Sequence, residues 1–347
     1  MNVLPAFMVS YAALATVFFL LRLDYSRYQF LMSFVMATGW FYTVLFVTAR
    51  INRPKLAILR NGYAATLGDI RGVEWVPVNS VEDASSHRDL PLIVDLKSGD
   101  LTKDWERYIA EQAIDGRPVF NAEQLSESLR GRVELYSISE NSFGHLAPDS
   151  IYAPAKRYID AALALVALIV LSPVLIATAV AVKLSSPGPV VFRQVRMGFR
   201  GRMFTVYKFR SMRVEQSTGT DVDRDMTRTD DARITKVGKF IRKTRVDELP
   251  QIINILKGEM SWIGPRPETL NLSEWYEDQL PFYRYRHIVR PGISGWAQVQ
   301  QGHVTDVDDV REKLEYDFFY IKNFSLWMDV LIAIRTLKVI VTAAGAK

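Results

Sequence analysis

Apolar residues are concentrated in a few long runs of this chain, whereas the rest of the sequence mixes apolar and polar positions as soluble domains do. Residues 3–21 and 29–48 form the first two runs, and each approaches the ~20 residues that a membrane-spanning helix requires. A short polar connection, residues 22–28, separates them. The pattern predicts a transmembrane helical hairpin in residues 1–50. A hairpin buried in a soluble core is the alternative.

A third uncharged run covers residues 161–182, and Ser172 and Pro173 lie near its middle. Proline inside a helix removes a backbone hydrogen bond and clashes with the preceding turn, so the pattern predicts a sharp kink. Basic residues flank the run on both sides, and the positive-inside bias then places both ends on one side of the membrane. We therefore expect a re-entrant helix that enters one leaflet and returns. A straight transmembrane helix is the alternative, and it would separate the flanking segments across the membrane.

Between these apolar runs the pattern changes to short strands and helices. Residues 92–96 and 133–138 resemble strands, and residues 104–113 and 122–129 resemble helices. They predict a small α/β cytosolic module in residues 51–150. The module contains no glycine-rich phosphate-binding motif, so we expect a docking or regulatory role rather than nucleotide binding.

Two helical segments end the chain, around residues 313–322 and 326–344. In the second segment, Arg335, Lys338 and Thr342 share one side by helical spacing, and apolar residues are available to the other side. This pattern favours an interfacial helix that lies on the membrane, because the charges disfavour spanning. Packing against the protein itself is a close alternative.

Composition restricts the available chemistry. The chain has no cysteine, which excludes disulfides, thiolate nucleophiles and zinc–thiolate sites, and its four histidines show no close pairing typical of a metal site. A metal would therefore need oxygen ligands, and Mg²⁺ held by a carboxylate and substrate phosphates is the natural candidate. The formal net charge of +5 fits an anionic membrane face or nucleic acid. The membrane runs favour the membrane, so we expect no nucleic-acid partner.

Two adjacent carboxylates, Asp247 and Glu248, precede a short predicted helix that begins near Pro250 and ends at Gly258. At a helix N-terminus, unpaired N–H groups and the helix dipole favour anions, so this turn can keep a carboxylate ionised and also hold a phosphate. An acidic helix cap is the plain alternative for such a pair. The basic residues around the pair favour a phosphoryl-transfer site instead.

Several basic residues suit phosphate binding. Arg266 lies between Pro265 and Pro267, which restrict its backbone and present the guanidinium at low entropic cost. Such a side chain suits a bidentate phosphate clamp. Further basic residues are interleaved with aromatics after the third apolar run: Arg193, Arg196, Arg200, Arg202, Lys208, Arg210 and Arg213. Beside a membrane segment, this pattern favours contact with lipid headgroups or a diphosphate.

Six motifs occur in order in the second half of the chain: Ser172-Pro173, Tyr207-Lys-Phe-Arg-Ser-Met212, Asp247-Glu-Leu-Pro-Gln251, Gly264-Pro-Arg-Pro267, Pro291-Gly-Ile-Ser-Gly-Trp-Ala-Gln298, and Tyr316-Asp317 with Asn323 and Ser325. With them, residues 150–347 closely resemble the monotopic phosphoglycosyl transferases, the bacterial sugar transferases also called polyprenyl-phosphate hexose-1-phosphate transferases. The resemblance implies an α/β membrane protein whose residues 151–347 form a monotopic catalytic domain with a re-entrant membrane helix and interfacial helices.

The resemblance also implies an activity, the transfer of a sugar-1-phosphate from a nucleotide diphosphosugar, usually a UDP-sugar, to undecaprenyl phosphate. The products would be undecaprenyl-diphosphate-sugar and UMP. By resemblance, Asp247 is the nucleophile that forms a covalent aspartyl-phosphosugar intermediate, Glu248 supports it, and Mg²⁺ binds at Asp247. The family positions linked to substrate phosphates fall on Lys208, Arg242 and Arg266. Supporting positions fall on Arg210, Arg245, Gly264, Pro265, Pro267 and Asp317.

Such enzymes initiate exopolysaccharide, capsule, O-antigen or glycoprotein glycan assembly on the cytoplasmic face of the bacterial inner membrane. Larger members of the family have four membrane helices before a fuller nucleotide-binding-like domain, whereas this chain has two apolar runs and a truncated Rossmann-like module in residues 51–150. The identity of the sugar and a homodimeric state are left open. A membrane-anchored scaffold that binds lipid diphosphates without catalysis, or a metal-dependent phosphohydrolase, are the alternative functions.

Overall fold

The computed structural model describes residues 3–24, 26–51, 53–70, 72–135, 151–213, 233–301 and 307–342. The chain divides into two compact units, Met1–Gly131 and Arg132–Lys347. Helices and strands occur in both units, so the mixed α/β class that the sequence predicts is confirmed.

The first unit begins with two apolar helices, α1 (Val3–Leu20) and α2 (Arg27–Ile51). Aromatic rings pack between them, with 5.1 Å between the ring centres of Phe7 and Phe41. In the described part of the chain, one helical segment, Arg27–Thr48, is long and apolar enough by itself to cross a membrane. The two predicted apolar helices are therefore present, and their position in a membrane stays a prediction.

A four-stranded parallel sheet follows, with the strand order β2-β1-β3-β4. Its strands are β1 (Lys55–Leu59), β2 (Glu74–Val78), β3 (Leu92–Val94) and β4 (Val119–Asn121). The helices are α3 (Val81–Ser86), α4 (Lys103–Ile114) and α5 (Ala122–Arg130), and a 3₁₀ turn covers Gly62–Asp69. Residues of α3 and α4 cover one face of the sheet, and residues of α5 and the 3₁₀ turn cover the other. A parallel sheet buried on both faces accounts for the continuous apolar sequence of β3.

The helices predicted at residues 104–113 and 122–129 are confirmed, but the strand predicted at 133–138 is not formed by its described residues. Val133 and Leu135 pack into the core of the second unit. The Val133 amide donates a hydrogen bond to the Glu315 carbonyl at 3.1 Å. Residues 136–138 lie outside the described residues. The compact second unit begins at Arg132, and the start of the catalytic domain at residue 151 stays a prediction.

The third apolar run forms two helices, α6 (Tyr152–Val170) and α7 (Ser172–Ser185), with a bend of 64° between them. Pro173 lies in the first turn of α7, where its missing N–H group leaves no hydrogen bond unmade. The Ser172 hydroxyl donates to the Ile169 carbonyl at 2.8 Å across the break. The kink predicted at Ser172-Pro173 is confirmed.

The remaining elements of the second unit surround two small sheets. Strands β5 (Val191–Met197) and β6 (Met203–Phe209) pair antiparallel, and β7 (Ser261–Ile263) and β8 (Gly292–Ser294) pair parallel. The helices are α8 (Lys236–Lys243), α9 (Ile252–Lys257), α10 (Leu270–Gln279), α11 (Trp296–Gln300), α12 (Val307–Lys322) and α13 (Leu326–Thr342).

The C-terminal helix α13 packs one side against the protein. Met328, Leu331 and Ile332 are buried with residues of α12 in the largest core cluster. Leu326 and Leu337 remain more than half exposed. Packing against the protein, one of the two alternatives predicted for this helix, is thus realised, and an exposed apolar surface is left for an interfacial role.

Gly264 allows the segment after β7 to approach β8 closely. Its amide donates to the Ser294 carbonyl at 2.9 Å, and the Gly292 amide donates to the Pro265 carbonyl at 3.0 Å. A Cβ atom on Gly264 would lie 2.3 Å from the Arg290 carbonyl oxygen. Only glycine fits there, so the backbone pairing fixes where the Pro-Arg-Pro segment begins.

Candidate active site

The predicted acidic pair lies in a 3₁₀ turn, Val246–Gln251, that leads directly into α9. Gly258 ends α9 with a φ of +83°, as its predicted role as a helix stop requires. Ile252 and Ile255 anchor this segment by packing against β6. Arg245 starts the turn at a φ of +58°, which is uncommon for a residue with a side chain. The short helix is confirmed, and the acids occupy the tighter turn before it.

Glu248 is the centre of a buried ion-pair cluster. Its Oε1 lies 2.7 Å from Arg266 Nη2 and 3.1 Å from Lys208 Nζ. Arg266 Nη1 reaches Oε2 at 3.4 Å, which makes the pair bidentate. Burial raises the pKa of Glu248, but the charges of Arg266 and Lys208 outweigh burial and hold the pKa well below its usual range. Glu248 is therefore an ionised and fully engaged carboxylate.

Asp247 differs from its neighbour, although both side chains are buried. Its Oδ1 has no hydrogen-bond partner among the described residues. Burial raises the pKa of Asp247, and the negative charge of Glu248 raises it further, while the charges of Lys208, Arg245 and Arg242 act in the opposite direction. The oxygen that a nucleophile needs is thus unengaged and lies beside a cluster of cations.

Lys208 is a buried cation whose pKa responds strongly to its surroundings. Burial lowers its pKa to about 8; the Glu248 charge opposes this shift, and the Arg266 charge adds to it. At neutral pH the ammonium is still mostly protonated, but it titrates within a pH range that enzymes experience. The site therefore contains one phosphate-binding candidate whose charge depends on pH.

The backbone of Arg266 is held by a second buried ion pair that sequence reasoning did not find. Arg286 lies 2.8 Å from Asp317, and the same guanidinium nitrogen donates to the Arg266 carbonyl at 2.9 Å. Arg196 donates to the Pro267 carbonyl from the other side. Asp317, a predicted supporting residue, thus acts through Arg286 on the Pro-Arg-Pro segment. Arg286 lies in an aromatic-rich 3₁₀ turn, Tyr283–Ile288. A charged residue between aromatic residues is the sequence feature that could have predicted its buried ion pair.

The remaining predicted arginines have different positions. Arg210 is buried and donates to the carbonyls of Ser186 at 2.6 Å and Pro189 at 2.5 Å, so it fixes the loop after α7. Arg242 is half-buried at the end of α8, and its charge lowers the pKa of Asp247. Arg245 is exposed and lies 3.9 Å from Glu248. Arg245, Lys208 and Arg266 thus lie beside Glu248. Arg210 instead stabilises the loop after α7.

Comparisons with known proteins identify the family of this chain. Residues 151–343 match the family model described as bacterial sugar transferase. The chain is 45% identical over 345 residues, 99% of its own length and 80% of the relative's, to UDP-N-acetylgalactosamine-undecaprenyl-phosphate N-acetylgalactosaminephosphotransferase of Aeromonas hydrophila.

The chain is also similar, over about half of its length, to two glucose-1-phosphate transferases. UDP-glucose:undecaprenyl-phosphate glucose-1-phosphate transferase of Xanthomonas campestris pv. campestris is 44% identical over 56% of this chain and 40% of the relative. The enzyme of the same name from Escherichia coli (strain K12) is 45% identical over 52% of this chain and 39% of the relative. The resemblance predicted from the motifs is confirmed, and the chain belongs to the bacterial sugar transferase family.

Proposed function

We propose that this protein transfers a sugar-1-phosphate from a UDP-sugar to undecaprenyl phosphate, giving undecaprenyl-diphosphate-sugar and UMP, as the first step of polysaccharide assembly. The observation that carries the proposal is a buried oxygen of Asp247, without a hydrogen-bond partner among the described residues, beside the ion-paired Glu248. The 45% identity to an undecaprenyl-phosphate sugar transferase over nearly the whole chain supports it.

Asp247 acts as the nucleophile in two displacements at one phosphorus atom. Its carboxylate oxygen attacks the phosphorus that bears the sugar, the bond to the UMP oxygen breaks, and UMP leaves with the bonding electrons. A phosphate oxygen of undecaprenyl phosphate then attacks the same phosphorus and releases Asp247. Neither step requires a proton transfer, so positioning and charge neutralisation supply most of the catalysis.

Lys208 and Arg266 supply that positive charge beside the nucleophile. Both are held against Glu248, which fixes their positions in the free enzyme. A diphosphate that enters next to Asp247 meets two cations whose geometry is already set. The charges of Lys208, Arg245 and Arg242 lower the pKa of Asp247 and so oppose the rise that burial and the Glu248 charge cause.

The residues present also fit Mg²⁺. The unpaired Asp247 oxygen is the kind of hard oxygen donor that this ion prefers, and Mg²⁺ is often bound by one or two carboxylates together with substrate phosphates. Among the described residues no cluster of three acidic or histidine side chains could hold a metal alone. Asp247 would hold it, and when bound it would neutralise charge on the diphosphate.

The same proposal extends to the membrane. We place α1 and α2 as a transmembrane hairpin in residues 1–50, the small α/β module in residues 51–150, and the catalytic domain in residues 151–347 on the cytoplasmic face of the bacterial inner membrane. The bent pair α6–α7 is the re-entrant element. It keeps the site at the interface, where a lipid phosphate can reach Asp247 without its headgroup crossing hydrocarbon.

UMP release tests the function. The purified protein in lipid nanodiscs is mixed with undecaprenyl phosphate and a donor panel that begins with UDP-N-acetylgalactosamine and UDP-glucose. We expect UMP and a lipid-linked sugar diphosphate with at least one donor. Absence of UMP across the panel would favour a lipid-diphosphate-binding scaffold, and free sugar phosphate without acceptor would favour a phosphohydrolase.

A further inference from the structure

Gln251 has a buried amide that the fold does not use. Its side chain is 2% exposed, and its Nε2 has no hydrogen-bond partner among the described residues. A buried donor without a partner costs stability, and native proteins rarely contain one without a reason. Ligand binding is one such reason, because the missing partner then arrives with the substrate.

The position of Gln251 points to the substrate of this site. Gln251 ends the 3₁₀ turn of the acidic pair, three residues after Glu248 and four after Asp247. In a 3₁₀ turn, residues three apart share a side, so its side chain lies on the same side of the turn as Glu248, whose carboxylate pairs with Arg266 and Lys208. The same six-residue turn thus contains a buried acceptor, Asp247 Oδ1, and a buried donor, Gln251 Nε2, that have no partner among the described residues. Both belong to the turn whose Glu248 holds the cations of the site.

Asn254, in the helix that follows the turn, is a buried amide with a structural role. It is fully buried, its Oδ1 accepts from the Tyr207 amide at 3.2 Å, and its Nδ2 donates to the Thr205 carbonyl at 2.6 Å. The same nitrogen also donates to Glu259 at 2.7 Å. A buried amide three residues from Gln251 is therefore completely paired, so the unpaired state of Gln251 is specific to its position.

We propose that Gln251 is a catalytic residue whose Nε2 donates a hydrogen bond to the phosphoryl group during its transfer to and from Asp247. This inference rests on the proposed function. The transition state of phosphoryl transfer spreads negative charge over the non-bridging oxygens, and a preorganised donor stabilises that charge. A neutral amide suits the position because Glu248 would pair with another cation placed there. No proton moves to or from Gln251.

The test separates stability from turnover. Gln251→Met removes the amide and keeps an unbranched side chain of similar size. We expect its melting temperature to equal or exceed that of the wild type, while kcat falls about 10²–10³-fold, the range for loss of one transition-state donor. KM for the UDP-sugar should change much less. Mass spectrometry after mixing with donor alone should show slower formation of the phosphosugar adduct.

Asn254→Met is the matched control, because it removes an amide that is fully paired. We expect it to lower the melting temperature. A Gln251→Met variant that loses stability, or that keeps wild-type kcat, would overturn this inference. A wild-type protein without UMP release across the donor panel would instead overturn the proposed function, so the two failures are distinguishable.

Discussion

Glu248 and Arg266 form a buried, two-point ion pair, with 2.7 Å from Nη2 to Oε1 and 3.4 Å from Nη1 to Oε2. This pair gives the two adjacent acids different roles. Glu248 pairs with Arg266 and Lys208, whereas the Oδ1 of Asp247 has no hydrogen-bond partner in the part of the chain that the structure describes. The two adjacent carboxylates thus differ in their contacts: Glu248 orders the cations, and Asp247 is the residue that we propose as the nucleophile.

Asp247→Asn should abolish turnover and the covalent adduct while leaving the fold intact. The amide is a poor nucleophile, and the variant removes no hydrogen bond from Oδ1 because the described residues make none. We expect UMP release to fall at least about 10³-fold and the melting temperature to stay close to that of the wild type. An adduct in the variant after incubation with donor alone would contradict Asp247 as the nucleophile.

Glu248→Gln should destabilise the protein as well as inactivate it. The substitution leaves Arg266 and Lys208 buried beside a neutral partner, and breaking a buried pair in this way costs about 3–5 kcal/mol. Urea unfolding of the second unit measures the effect. Glu277→Gln is the control, since its ion pair with Arg284 spans 3.9 Å and the arginine is mostly exposed, so a loss below about 1 kcal/mol is expected. Equal losses for both variants would refute the central role of Glu248.

The pH dependence of kcat/KM should be bell-shaped. Asp247 must be ionised to attack, and its raised pKa moves the acidic limb above that of an ordinary aspartate. On the alkaline side, Lys208 loses its charge as the pH passes about 8, and the site loses a phosphate-binding cation. Lys208→Arg keeps the charge and should move the alkaline limb upward. If both proteins share the same alkaline limb, another group controls it.

Asp317→Asn should lower activity through the main chain of Arg266. It weakens the partner of Arg286, whose guanidinium also holds the Arg266 carbonyl at 2.9 Å. We expect a fall in kcat/KM of about 10–100-fold, as for residues that orient a functional group through another side chain. Arg286→Lys should act similarly, because lysine lacks the planar fork.

Asp329→Asn is the control for Asp317→Asn, because it also breaks a buried ion pair but one that does not contact Asp247 or Glu248. Asp329 pairs with Lys156 and accepts from the Tyr320 hydroxyl at 2.8 Å. Its loss should lower stability without lowering the kcat of the folded fraction. A kcat that falls equally in both variants would show a general effect of core damage rather than positioning of Arg266.

Cysteine labelling tests the re-entrant topology, since the chain has no native cysteine. Ala155 and Leu184 are exposed near the two outer ends of the bent helix pair. Ala155→Cys and Leu184→Cys should both react with a membrane-impermeant maleimide from the cytoplasmic side only. Asp24→Cys, between α1 and α2, should react from the opposite side and serves as the control. Labelling of the two outer-end variants from opposite faces would replace the re-entrant helix by a transmembrane one.

The sequence by itself determined the features that depend on neighbours along the chain. The length of the uncharged runs predicted the apolar helices, and Pro173 predicted the kink. Gly258 predicted the end of the helix after the acidic pair. The motif set identified the family and named the acidic pair. These features were predictable because helix geometry, proline and glycine act within a few residues.

Only the tertiary structure decided which residues far apart in sequence form ion pairs and hydrogen bonds with one another. It placed Arg286 between Asp317 and the Arg266 backbone, assigned Arg210 to a loop, and moved Val133 into the second unit. It also left Asp247 Oδ1 and Gln251 Nε2 without a partner among the described residues, while it paired Glu248 with Arg266 and Lys208. Hydrogen bonds and pKa shifts at buried groups depend on which side chains from far along the chain arrive beside them. No local pattern encodes that arrangement, because it results from packing the whole unit.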